Sequence, residues 1–297
     1  MTSTATMQPA AASDLAPRSR ARETLRPYLA MLGARFRMML QYRAAAAAGV
    51  GTQIFWGIVR VMVLEAFYRS ATGATVVPMN LHEICAYIWL GQAFLAMLPW
   101  NIDLEIRQMV RSGALAYELA RPADVYWLWF ARALAWRTAP TLLRAVPIFL
   151  LAMGVLPLIG LAEWRLGAPP GVGPAMAWIA CMIGAVALTS AMSTLLNITL
   201  LWTIAGDGIV TLVTALVILL TGMVIPLPLF PAWVQPLLRA LPFAGIVDLP
   251  FRVYSGNIPA SAAGWVLLHQ FLWTSGLIVF GRWVHSRGMR RVVMQGG

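Results

Sequence analysis

Lysine is absent from this chain, and all 22 of its basic residues are arginine. A P-loop ATPase holds the β- and γ-phosphates of its nucleotide with the lysine of G-x-x-x-x-G-K-[ST], so a fused motor of that kind is excluded. Charge of either sign is scarce: 11 % of residues are charged and 60 % hydrophobic, with a mean hydropathy of +0.73. Soluble domains carry roughly 25 % charged residues, so much of this apolar surface has to face lipid. There are two cysteines, Cys85 and Cys181, both inside apolar runs, where they read as small hydrophobes and not as a disulfide. The three histidines, His82, His269 and His285, have no metal-ligand spacing with either cysteine, and no serine sits in a nucleophile elbow. No enzyme active site is expected, nor any cofactor or metal in this chain. The first 17 residues lack the apolar stretch of a cleavable secretory signal, and their Ala, Ser, Thr and Pro content reads as a disordered tail over 1–17.

The net charge of +11 would suit nucleic acid only as a contiguous basic patch on a soluble fold. Here the arginines flank apolar segments, which is a topology signal, so no nucleic-acid partner is expected.

The pattern predicts an all-α membrane domain over 18–291 with a short C-terminal tail at 292–297. In 22–43, Leu25, Leu29, Leu32, Phe36, Met39 and Leu40 recur at helical spacing with Arg26, Arg35 and Arg37 beside or opposite them. Such a helix lies in the membrane interface or packs on the cytoplasmic base of the protein. Six spans are expected at about 44–67, 84–100, 145–162, 174–202, 209–225 and 262–281. Within the first, Arg60 either snorkels to the interface or serves a pore. Residues 125–144 mix aromatics with Arg132, Arg137 and Arg144 and read as an interfacial entry to the third span, with Pro140 and Pro147 as candidate kinks. A tight turn is expected at 205–208. The segment 226–259 is apolar but broken by prolines, so it is expected to form short helices dipping into the bilayer against protein. His269 and Gln270, mid-span, read as interhelical glue or as a proton relay.

Seven arginines lie between Arg18 and Arg43, six between Arg107 and Arg144, and four between Arg282 and Arg291. The positive-inside rule then places both termini and the polar stretch 103–124 in the cytoplasm, with the proline-broken segment outside. That stretch carries charges of both signs, Asp103, Glu105, Arg107, Arg111, Glu118 and Arg121, with apolar residues at helical spacing. It is either a solvated loop or a lever that docks into a partner, since mixed charges give register to a reversible contact.

Two stretches resemble the ABC-2 type permeases, in the branch of six-span exporter subunits without a fused ATPase. One runs from Glu105 to Pro122 and is similar to the family's coupling helix, with Glu105, Arg107, Gly113, Leu115, Tyr117, Leu119, Arg121 and Pro122 in the family's places. Ser112-Gly113-Ala114 departs from it, where many relatives carry charge. The other, Thr221 to Trp233 with Leu241-Pro242-Phe243, resembles the re-entrant helices between spans five and six and includes Pro226, Pro228 and Pro231. The resemblance implies a subunit of an exporter in the bacterial cytoplasmic membrane. It would work with a cytoplasmic ABC ATPase that binds ATP and Mg, and with a second permease, identical or a sister chain, in contact with membrane lipid. It further implies that Glu105, Arg107, Arg111, Gly113, Tyr117, Glu118, Arg121 and Pro122 serve ATPase coupling, and that Trp89, Gln92, Phe94 and Thr214 are candidates for the path. A carrier driven by an ion gradient would show internal repeats and deep ionisable groups, and a non-transporting scaffold would have no ATPase partner.

Overall fold

The computed structural model describes residues 17–70, 78–203 and 206–290, with side chains from Leu25 onward in the first segment. Apart from Pro17, the tail expected at 1–17 lies outside the described residues, as do the one at 292–297 and Ala205 of the expected turn. The described residues form α1 (Pro17–Leu40), α2 (Arg43–Ser70), α3 (Leu81–Phe94), α4 (Leu104–Ser112), α5 (Leu115–Leu119) and α6 (Val125–Leu158). They continue with α7 (Val172–Thr199), α8 (Asp207–Leu220), α9 (Gln235–Ala240), α10 (Asp248–Ser255) and α11 (Ala263–Met289), and no strand occurs among them.

Local chemistry sets several helix ends. Asn80 accepts from the Glu83 N–H at 2.9 Å while the Glu83 carboxylate accepts from the Asn80 N–H at 2.8 Å, a reciprocal cap that starts α3. Asp124 caps α6 by accepting from the N–H groups of Tyr126 and Trp127. Leu98 is extended, as a residue before proline should be, and so the run beginning at α3 breaks ahead of Pro99.

Among the described residues four helices, α2, α6, α7 and α11, are long and apolar enough to cross a membrane. The expected second and fifth spans take the form of α3 and α8, each of 14 residues. At 1.5 Å per residue each covers about 21 Å, short of a hydrocarbon core of about 30 Å. Leu95–Met97 form a 3-10 turn after α3, and Gly222, at a φ of +83°, follows α8 before Pro226.

The third expected span also differs. The interfacial entry and the span merge into one helix of 34 residues that runs through Pro140 and Pro147. Thr138 and Thr141 turn their hydroxyls onto the carbonyls of Leu134 and Arg137 near the first proline. Further on the helix widens into a π turn over Leu150–Val155, where Leu156 bonds to Leu151. The next residue, Pro157, has no N–H to offer Ala152, and the main chain of Leu166 fills the place at 2.9 Å.

At the centre lies α3, whose residues from Ile84 to Ala93 are all buried and which packs against α2, α6 and α10. Alongside it α7 packs against α6, α10 and α11. Phe55, Trp56 and Val63 of α2 and Phe271, Leu272 and Val279 of α11 point outward and are exposed. An apolar outer face over an apolar core identifies a multi-pass membrane protein, with lipid as the outer solvent.

Candidate functional site

The stretch between α3 and α6 carries charges of both signs in a charge-poor chain, and the fold concentrates polar contacts there. Asp103 accepts from the N–H groups of Glu105 at 2.9 Å and Ile106 at 3.3 Å, which caps α4. Gly113, at a φ of +75°, closes α4 in a left-handed conformation that favours glycine, and α5 follows at once. Ile106 and Leu115 bury their side chains in an apolar cluster with Tyr126 and Trp129 of α6 and Leu196 of α7.

The inward-facing charges are paired. Arg132 of α6 has a side chain only 2 % exposed, and it meets Asp103 at 3.3 Å, Glu105 at 3.2 Å and Glu118 at 3.5 Å. The indole N–H of Trp129 donates to the other oxygen of Glu118 at 2.9 Å. The Asp103 N–H donates to the Asn197 side chain of α7 at 2.9 Å, and Arg35 of α1 donates to Glu105. Burial raises the Glu105 carboxyl's proton affinity, but the Arg35 hydrogen bond and the nearby Arg132 outweigh it and hold the group below its ordinary value of 4.5. Arg107 reaches Asp207 at the start of α8 at 2.6 Å, and Arg282 of α11 reaches Asp124 at 3.0 Å. The α4–α5 unit is thereby tied to α1, α6, α7 and α8.

Its other face is open. Tyr117 is 79 % and Leu104 67 % exposed, and Arg111, Gly113, Arg121 and Pro122 are exposed beside them. A cavity of about 460 Å³ lies along α4 between Leu104, Arg107, Gln108, Arg111 and Ser112. Of the eight residues with an expected coupling role, Glu105 and Glu118 thus face arginines of the bundle, Arg107 bridges to α8, and the other five form the outer surface.

The proline-broken segment folds back onto the bundle. Pro226, Pro228 and Pro242 are buried, Phe243 is half-buried, and Pro231 and Trp233 are exposed. The wholly buried Asp248 accepts from the Tyr87 hydroxyl at 3.2 Å, the Leu227 N–H at 3.1 Å and Arg252 at 3.3 Å. Arg60 donates to the Met223 carbonyl at 2.9 Å, so its head is anchored to this segment.

The four path candidates do not converge. Trp89 and Gln92 are buried where α3 meets Gly57 of α2, and the Trp89 indole donates to the Trp164 carbonyl at 2.7 Å. Phe94 looks the other way, into an apolar cavity of about 550 Å³ between α6 and α7. Thr214 donates to the Trp100 carbonyl at 2.8 Å. His269 and Gln270 also part company: Gln270 donates to the carbonyls of Cys181 and Gly245, while the His269 ring lies beside the backbone of Arg239, Ala240 and Leu241.

The sequence pattern gave Asp103 only as one charge of the stretch and gave no site role to Trp129, Arg132, Arg35 or Asn197, which together hold the unit in place. The only signal was the excess of acid in 103–118, which needs cations from elsewhere in the chain.

A comparison with curated proteins returned no match. A family model described as ABC-2 family transporter protein matches residues 54–296. That match covers most of the chain and takes in α3 to α11 with the α4–α5 unit, so the chain belongs to the ABC-2 family of transporter membrane proteins.

Proposed function

We propose that this chain is the membrane-spanning subunit of an ATP-driven exporter in a bacterial cytoplasmic membrane, with α4 and α5 as the element that receives work from a separate ABC ATPase. The observation that carries the reading is the two-faced α4–α5 unit, paired with arginines on its inner side and open on its outer side at Leu104, Arg111, Tyr117 and Arg121. A merely solvated loop has no need of polar contacts to four other helices, with Asp103 and Glu118 buried on Arg132, whereas a lever does. ATP and Mg are bound by the partner, and closure of two such ATPases shifts the permease from inward-open to outward-open. The α3 and α8 segments complete six spans together with the turns that follow them, and 226–259 forms the re-entrant element on the far side. A second permease, identical or a sister chain, pairs with this one in the lipid, and both termini lie in the cytoplasm.

The test is a mild-detergent pull-down of the tagged chain from its native cells, with mass spectrometry and an ATPase assay. A stoichiometric P-loop protein with vanadate-sensitive hydrolysis is the expected result. A chain that purifies alone and without ATPase activity overturns the proposal and favours a gradient-driven carrier or a scaffold.

A further inference from the structure

A push on the outer face of α5 reaches the spanning helices only if α5 holds its angle, and α5 is five residues long. Its buried side chains are Leu115 and Glu118, too little apolar contact to fix a short helix against pivoting. What fixes it is convergence. Asp103 at the head of α4, Glu105 in its first turn and Glu118 in α5 all meet the same guanidinium, that of Arg132. The planar, multi-donor fork of arginine can meet carboxylates from several directions at once, which a lysine ammonium on the same stem cannot do. Asp103 and Glu118, 8 % and 6 % exposed, form pairs with Arg132 that are shielded from water and salt, while Glu105, 50 % exposed, meets the same guanidinium from the rim. Trp129, three residues earlier and on the same face of α6, takes the free oxygen of Glu118, so α5 is held at two points on α6.

We propose that Arg132 is a positioning residue that makes α4, α5 and α6 one rigid body, so that displacement of α5 turns α6. The inference rests on the reading of α4–α5 as the contact for an ATPase. It assigns the transmission to a residue that cannot touch the partner.

Spin labels at Ala120→Cys, the exposed cap of α5, and at Val146→Cys, 58 % exposed on α6, measure the angle between the two elements, and the native Cys85 and Cys181 are buried. Distances are read by pulsed EPR on the chain with its co-purified ATPase, with and without ATP plus vanadate. The native Arg132 should give one narrow distance that nucleotide does not change. Arg132→Gln should broaden it at least about twofold and make it respond to nucleotide, and Arg132→Lys should fall between. Glu118→Gln, which keeps the Trp129 contact and removes one charge, should broaden it less, and it decides the matter if Arg132→Gln does not fold. Distributions as narrow and as unresponsive as the native one in the variants that fold overturn the proposal. A chain that purifies without an ATPase fails the functional reading alone, and the widths measured on that lone chain then decide the role of Arg132.

Discussion

The Tyr87 hydroxyl of α3 donates to the carboxylate of Asp248 at 3.2 Å, and both side chains are almost completely buried. Through this one carboxylate the central helix, the turn at Leu227 and Arg252 of α10 are held together. Asp248→Leu leaves the Leu227 N–H without its acceptor and Arg252 with Asn257 in place of a carboxylate, and it should cost about 3 kcal/mol, the low end for a broken buried pair. Tyr87→Phe removes one hydrogen bond and should cost about 1 kcal/mol. Unfolding titrations in mixed micelles check both, and similar losses for the two variants would show that Asp248 is not the hub.

Gly222 sits against the same pair. Its φ is +83°, and a Cβ built there would come within 2.4 Å of the Tyr87 hydroxyl oxygen. Gly222→Ala should therefore destabilise by at least about 1–2 kcal/mol from backbone strain alone. Gly264, near the start of α11, has open space around it, and Gly264→Ala should be neutral or stabilise by up to about 1 kcal/mol. Thermal midpoints of the two variants in one detergent test the contrast.

The elements set by neighbours in sequence were legible. The spacing of Leu25, Leu29, Leu32 and Phe36 falls in α1, whereas α3 begins at Leu81 on the Asn80–Glu83 cap, ahead of the span expected from 84. Charge near the membrane misled in 125–144. Arg132 and Arg137 look like markers of a membrane edge, yet both are buried inside one unbroken helix. Arg137 is satisfied by the Leu98 carbonyl at 2.6 Å, by Asn101 at 2.8 Å and by Ser193 at 2.9 Å, partners 36 to 56 residues away in the chain. No local pattern encodes such pairs. Likewise, the run 103–122 gave the residue types of the candidate site but not its two sides. Glu118 and Tyr117 are adjacent, and only packing against Trp129 decides that the first turns in and the second turns out.

Glu105 carries a pH dependence with a definite sign. Its folded carboxyl lies below the ordinary 4.5, so its pairing with Arg35 and Arg132 stabilises the fold fully above that value and is lost as pH falls through the lower, folded one. The difference in thermal midpoint between the native chain and Glu105→Gln should hold from pH 7 down to about 5 and shrink below 4.5. A difference that grows on acidification would contradict the pairing.

Arg111 and Arg121 lie on the exposed face of α4–α5, away from the Arg132 cluster, so reversing their charge changes what a partner meets and leaves the inner pairs alone. Exposed charges contribute little to the folded state, and Arg111→Glu also removes an interaction that Arg111 makes within the fold, so the double variant, Arg111→Glu with Arg121→Glu, should still insert and melt somewhat below the native chain. At an interface the same reversal places like against like, and two such contacts at roughly 1–2 kcal/mol each reduce association by roughly thirtyfold to several hundredfold. The expected result is a folded permease that no longer retains its ATPase in detergent and no longer supports efflux, with the loss of association eased by high salt, which screens the new like-charge repulsion. Undiminished association and efflux in the double variant would remove α4–α5 as the docking element and return it to a solvated connection.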